Sequence, residues 1–170
     1  MKNKKESAGR VALVTGASQG IGRAIARALG EAGMAVILCS RRRAVLEGVK
    51  KEFEKDGIAA HVAVADVARP DQVKKIFTTV IKKIGRLDVL VNNAGSVETF
   101  GGFFDLADHD WTDSFQINFM SAVYCSRAAI PYLKQSPYPR IINLGAVPAR
   151  QPGAFNPHYS VAKALSLIHI

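Results

Sequence analysis

Cysteine is nearly absent from this chain: Cys39 and Cys125 are its only 2. Two thiols build no disulfide framework and show none of the paired spacing that holds zinc, so they read as interior thiols and no metal is expected. Long apolar runs are missing too. None reaches the ~18 residues of a membrane span, so no membrane partner is expected. The polar, lysine-rich start, Met1 to Arg10, is not followed by the apolar region of about 7–15 residues that a secretory signal needs, because the run Val11 to Val14 stops at Thr15-Gly16. Without a targeting segment the expected compartment is the cytoplasm. Acids are the minority charge, 14 against 23 Lys and Arg, for a formal charge of +9. Such a balance suits polyanionic partners. The lysines are scattered in pairs on what read as solvated helix faces, and no groove-reading motif accompanies them, so no nucleic-acid partner is expected. Only Arg41, Arg42 and Arg43 form a tight cluster.

What is present is a globular composition, 48% hydrophobic and 22% charged over 170 residues. A chain of this size buries roughly 70% of its unfolded surface. Short apolar runs read as buried strands at Val11 to Val14, Ala35 to Cys39, Ala59 to Ala65, Leu87 to Val91 and Arg140 to Leu144. Between them lie helical stripes: Ile21, Ile25, Ala28 and Leu29, closed by Gly33; Val45, Val49 and Phe53, ending before Gly57; Val73, Ile76, Phe77, Val80, Ile81 and Ile84, stopped by Gly85. A longer helix puts Trp111, Phe115, Phe119, Ala122, Val123, Ser126 and Ile130 on one face, with Pro131 expected to kink or terminate it. A Pro- and Gly-rich loop then leads to a last helix opening near Pro157 to Tyr159. Strands alternating with helices predict an α/β fold, a doubly wound parallel sheet covered on both faces. Five strands in the order 3-2-1-4-5 are expected, with the C-terminal strands missing, because the doubly wound order continues to a sixth.

The turn after the first strand reads Thr15-Gly16-Ala17-Ser18-Gln19-Gly20-Ile21-Gly22. Glycines there permit a tight turn and close approach of a pyrophosphate, while the opening helix directs free N–H groups and a positive dipole end at that anion. This T-G-A-S-Q-G-I-G turn resembles the cofactor turn of the short-chain dehydrogenase/reductase family, whose dinucleotide domain has the Rossmann fold. Asn92-Asn93-Ala94-Gly95 after the fourth strand is similar to that family's N-N-A-G element, and Tyr159-Ser160-Val161-Ala162-Lys163 to its Y-x-x-x-K pair. The resemblance implies cofactor contacts at Gly16, Ser18, Gln19, Gly20, Ile21, Gly22, Asp66, Val67, Asn93, Ala94 and Gly95, with Asp66 meeting the adenine. It implies catalytic roles for Asn118, in support of an active-site water chain, and for Tyr159 and Lys163. It also implies a small carbonyl or alcohol substrate and a homo-oligomer in the full-length form. Residues 10–164 carry the resemblance, and residues 1–9 read as a flexible basic tail. Residues 165–170 read as non-native, because their codons can be written CTG TCT CTT ATA CAC ATC, which resembles a transposon-end adapter of sequencing libraries. A genomic in-frame stop after Ile170 would overturn that reading.

Ser40 ends the second strand where an acid would favour NAD, and Arg41 follows it. A guanidinium fork matches a 2′-phosphate and a small hydroxyl leaves it room, so NADP is the expected cofactor with NAD as the alternative. Tyr159 and Lys163, four apart, share a helix face. A free phenol ionises near pH ~10. An ammonium ~4 Å away at an effective dielectric of ~20 contributes about 4 kcal/mol, enough to bring it close to neutrality as an acid–base group. The family expects a serine thirteen positions before the tyrosine, where this chain has Ala146, and no Ser or Thr occurs between Leu144 and His158. The chain is therefore a weakened oxidoreductase, similar in tone to 3-oxoacyl reductases, or a catalytically silent nucleotide-binding module, or it holds its substrate differently. His158 reads as a loop residue at the helix start and His109 as surface.

Overall fold

A computed structural model describes residues 7–168 and the side chains of 7–167. The expected basic tail lies mostly outside the described residues. Its end, Ser7–Gly9, forms a turn in which Arg10 N–H donates to Ser7 O at 3.2 Å. Five strands, β1 (Val11–Thr15), β2 (Ala35–Ser40), β3 (Ala60–Val64), β4 (Val89–Asn92) and β5 (Arg140–Asn143), form one parallel sheet of order β3-β2-β1-β4-β5. At its centre Val14 sits beside Leu38 on one side and Val91 on the other. The chain leaves β3 at one edge and returns beyond β1 as β4, so the direction of winding reverses between β1 and β4.

Four helical stretches connect the strands and a fifth follows the last of them. α1 is Gly20–Glu31 and α2 is Arg43–Lys55. α3 covers residues 70–84 and α4 residues 108–133, each α-helical at both ends with a π-helical segment inside, Ile76–Ile81 and Gln116–Met120. α5 is Pro157–Ile168. Of residues 165–170, 165–168 continue α5 and the last two lie outside the described residues. Alternate side chains of β1 serve opposite faces, as the period of a strand requires. Val11 and Leu13 join Phe77, Ile81, Cys125 and Leu133 of α3 and α4. Ala12 and Val14 join Ala26, Leu46, Val49 and Phe53 of α1 and α2. Glycine ends α3: Gly85 has φ +79°, a left-handed cap that side chains with a Cβ resist. Among the described residues no helix is long and apolar enough to cross a membrane, and no cluster of three or more His, Cys, Asp or Glu could hold a metal.

Three expectations need correction. On α1 the buried face is Gly22, Ala26 and Gly30, not the Ile21 stripe. Ile25 and Leu29 pack at its margin, while Ile21 is 69% exposed. Small residues let this helix lie close to its neighbours: a Cβ on Gly30 would stand 2.3 Å from Ile58. On α4 the buried face is Ser114, Asn118, Ser121, Ala122, Cys125, Ser126, Ala129 and Leu133, whereas Phe115 and Ile130 face outward. The helix runs on from Pro131 to Leu133 before it stops. The edge strands, finally, are not covered on both faces: every second or third residue of β3 is exposed, and Arg140, Ile141 and Ile142 of β5 all are.

Candidate active site

Every strand ends at the same rim, and the segments that follow them enclose one cleft of about 760 Å³. The glycine turn after β1 forms its floor. Gly16 and Gly20 have φ +66° and +55°, conformations that glycine adopts without strain. A Cβ on Gly22 would stand 2.4 Å from Gly16 O, so the turn and the first turn of α1 touch backbone to backbone. Thr15 ties this turn to the next strand. Its hydroxyl accepts from Asn93 N–H and Ala94 N–H, both at 3.0 Å. The Asn93 amide donates back to Thr15 O at 2.8 Å. Asn93 thus lines the cleft, yet its side chain is committed to holding the glycine turn.

At one end of the cleft, Ser40 Oγ is buried and has no hydrogen-bond partner among the described residues. Arg43 pairs with Glu47 at 3.6 Å. Arg41 and Arg42 pair with no carboxylate among the described residues and both line the cleft. Arg42 donates to Gln19 Oε1 at 3.1 Å. Asp66 accepts from Ala68 N–H at 3.0 Å, which bends the chain after β3 so that Asp66 and Val67 border the same space.

At the opposite end stand Tyr159 and Lys163. Lys163 is 5% exposed and donates from Nζ to Leu144 O at 3.2 Å. Its Nζ is 6.0 Å from the centroid of the Tyr159 ring, and the Tyr159 hydroxyl makes no hydrogen bond among the described residues. Burial pushes the phenol above its ordinary value and the ammonium below its own. The expected activation of the phenol by a close ammonium is therefore corrected. The two share a face, but Lys163 is turned to the carbonyl of Leu144, just past β5, and desolvation disfavours the charged form of each.

All the cofactor residues expected from the sequence line this one cleft, together with Tyr159 and Lys163. Asn118 does not. It is 3% exposed inside the π-helical segment of α4. Its Nδ2 donates to Ser96 O at 2.8 Å and to Ser114 O at 3.1 Å, and its Oδ1 accepts from Ser96 N–H at 3.0 Å. Both ends of the amide thereby staple the loop after β4 to α4. Sequence reasoning missed Arg42, Ser96, Ile117, Leu144 and Gly145, which also line the cleft. Arg42 had a signal in the arginine cluster, but Leu144 acts through its backbone carbonyl, which no sequence motif announces. His158, expected in a loop, is 3% exposed in the first turn of α5, its ring 6.1 Å from that of Trp111. His109 is exposed, as expected.

A glycine turn at the reversal point of a 3-2-1-4-5 parallel sheet defines a doubly wound α/β protein of the Rossmann type. Ordered against known proteins, this chain belongs to the short chain dehydrogenase family, whose model matches residues 10–166. It is 36% identical to a short-chain type dehydrogenase/reductase of Picea abies over 94% of this chain and 64% of the relative. It is 34% identical to a 3-oxoacyl-acyl-carrier-protein reductase of Synechocystis over 91% of this chain and 63% of that protein. Among solved structures, the L-sorbose reductase of Gluconobacter frateurii, complexed with NADPH and L-sorbose, superposes with a TM-score of 0.89 at 32% identity, covering 94% of this chain and 61% of that one. The chain thus spans less than two thirds of the length of these relatives.

Proposed function

We propose that this protein is an NADP(H)-preferring oxidoreductase that reduces a carbonyl to an alcohol, with 3-oxoacyl compounds as one candidate substrate class. The observation that carries this reading is a single cleft with a glycine turn at its centre, two arginines that pair with no carboxylate among the described residues at one end, and a half-buried Tyr159 with a buried Lys163 at the other. The residues fit a dinucleotide. Gly16, Gly20 and Gly22 leave the backbone bare for a pyrophosphate, and the N-terminus of α1 favours its charge. Asp66 and Val67 would border the adenine, and the unpartnered Ser40 Oγ with Arg41 would meet a 2′-phosphate. When bound, the nicotinamide supplies the hydride. Tyr159, which lines the same end of the cleft as Lys163, would supply the proton to the carbonyl oxygen. Lys163 holds its end of the cleft closed against Leu144 and would meet the nicotinamide ribose. The outward Phe115 and Ile130 of α4 support a homo-oligomeric full-length form.

A second reading, a nucleotide-binding module without turnover, is favoured by Ala146, which has no hydroxyl, and by a Tyr159 that no cation activates. Kinetics separate the two. NADPH-dependent reduction of a 3-oxoacyl thioester that is lost in Tyr159→Phe supports the enzyme, and NADPH binding without any turnover supports the module. NADPH is expected to bind more tightly than NADH, with Arg41→Asp reversing the order by more than tenfold, since a hydrogen bond to a charged group is worth about 1.5–3 kcal/mol. Equal affinities in the unmodified protein would sink the NADP assignment.

A further inference from the structure

We propose that Arg42 is a second reader of the phosphate on the adenosine ribose and that Gln19 is the residue that positions it. The proposal rests on the NADP reading above and goes beyond it, because the sequence points only to Ser40 and Arg41.

Three independent features converge here. First, of three consecutive arginines, only Arg43 is neutralised, by Glu47 one turn further along α2. Arg42 directly precedes α2, with extended backbone, at the end where that helix leaves its own N–H groups unpaired. Second, Gln19 occupies the equivalent place before α1, with φ −162° and ψ 174°, and does not use its side chain to cap its own helix. It reaches instead across 23 residues of sequence to Arg42, 3.1 Å away. A guanidinium can only donate, so the amide oxygen of Gln19 must be the acceptor. The bond joins the two turns that follow β1 and β2. Third, Ser40 Oγ lines the same cleft, buried and without a hydrogen-bond partner among the described residues, so a donor and acceptor await a polar group at this end of the cleft.

An arginine on an exposed loop explores many rotamers, and ordering one costs free energy on binding. A neutral acceptor such as Gln19 restrains the guanidinium without cancelling its charge. A carboxylate in its place would neutralise it, as Glu47 does for Arg43. The uncharged Gln19 is thus the residue type that holds a cation ready for an anion, and the bidentate fork of Arg42 retains donors for that anion after bonding Gln19.

The test uses fragment ligands that need no turnover: adenosine 2′,5′-bisphosphate, which carries the ribose phosphate, and 5′-AMP, which lacks it. Their affinities are measured by calorimetric titration for the unmodified protein and for Arg42→Ala, Gln19→Ala, Gln19→Glu and the Arg42→Ala/Gln19→Ala double variant. Arg42→Ala is expected to weaken the bisphosphate about tenfold, a charged contact discounted for its exposed site, and to leave 5′-AMP unchanged. Gln19→Ala is expected to weaken the bisphosphate about threefold, an effect absent in the Arg42→Ala background. Gln19→Glu is expected to weaken it more than Gln19→Ala, by drawing Arg42 into an ion pair. A merely structural role would move both ligands together. If Arg42→Ala leaves the ratio of the two affinities unchanged while Arg41→Ala lowers it, the NADP reading stands and this proposal falls. If the unmodified protein binds both ligands equally, the NADP reading itself fails.

Discussion

Ala146 opens the short turn Val147–Ala149 just past β5, within a segment that holds no other hydroxyl before His158. If only a donor to the substrate oxygen is missing, Ala146→Ser is expected to raise turnover about 10²-fold, the low end for one donor in a preorganised site. Nucleotide affinity is expected to stay the same, because Ala146 is not among the residues that line the cleft, and Tyr159→Phe in the same background is expected to remove the gain. Zero turnover in Ala146→Ser alongside intact NADPH binding would decide for the silent module. Single residues also show how far spacing carries. The four-residue step from Tyr159 to Lys163 correctly places both on one face, but the partner of Lys163 is Leu144 O, just past β5 and 19 residues away in sequence. Asn93 lines the cleft and Asn118 does not, and the amides of both hold backbone: Thr15 O in one case, Ser96 and Ser114 in the other.

Helices were legible in existence and extent, and less so in orientation. On α3 the apolar stripe Val73, Ile76, Phe77 and Ile81 is the buried face, because large aliphatic side chains at helical spacing have only one dry side to occupy. On α1 and α4 the rule that apolar means inside misleads, because close packing against the sheet and the cleft selects Gly, Ala and Ser for contact. Two glycines test this distinction. Gly22→Ala places a Cβ 2.4 Å from the backbone oxygen of Gly16. It is expected to lower stability by about 1–3 kcal/mol, as overpacking does, and to abolish 5′-AMP binding. Gly48, inside α2, has nothing within 4 Å of its Cβ position. Gly48→Ala is expected to raise stability by about 0.5–1 kcal/mol through helix propensity alone. Chemical denaturation measures both, and equal effects of the two substitutions would refute the close-contact role of Gly22.

Across the whole molecule, the end of the sheet opposite the cleft is held by one carboxylate. The Asp88 side chain is fully buried. It accepts from Val11 N–H at 2.8 Å, from Arg86 Nε at 2.7 Å and Nη2 at 2.9 Å, and from the Ser136 hydroxyl, joining β1, the approach to β4 and the end of α4. Burial alone would raise its pKa, but the bonds from Arg86, Ser136 and Val11 outweigh it and hold the carboxyl below the usual range. The unfolded chain therefore binds the proton more readily, and stability rises with pH through this window. The contribution is complete above the ordinary aspartate value of about 3.9 and is lost as pH falls through the lower folded value. Asp88→Ala is expected to destabilise by about 2–3 kcal/mol at neutral pH, leaving buried donors without an acceptor, and to flatten the acid limb of the stability curve. An unchanged acid limb, read from denaturation midpoints across pH, would show that Asp88 does not tie the layers together. Cys39 and Cys125 lie in the same core, and burial pushes both thiols up, Cys125 to about 12. Both are accordingly inert interior thiols, as their scarcity suggested.

The strands, the helices between them and the glycine turn after β1 follow from the sequence alone, because each depends on short-range periodicity and on residues that permit a particular backbone. The family follows as well, because its motifs are local strings in a set order. Tertiary structure alone decided which helix faces are buried, that Lys163 turns to Leu144, that Asn118 is a staple and that Gln19 reaches Arg42. Each of these joins segments distant in sequence, and the choice of partner depends on distances that only the folded sheet sets.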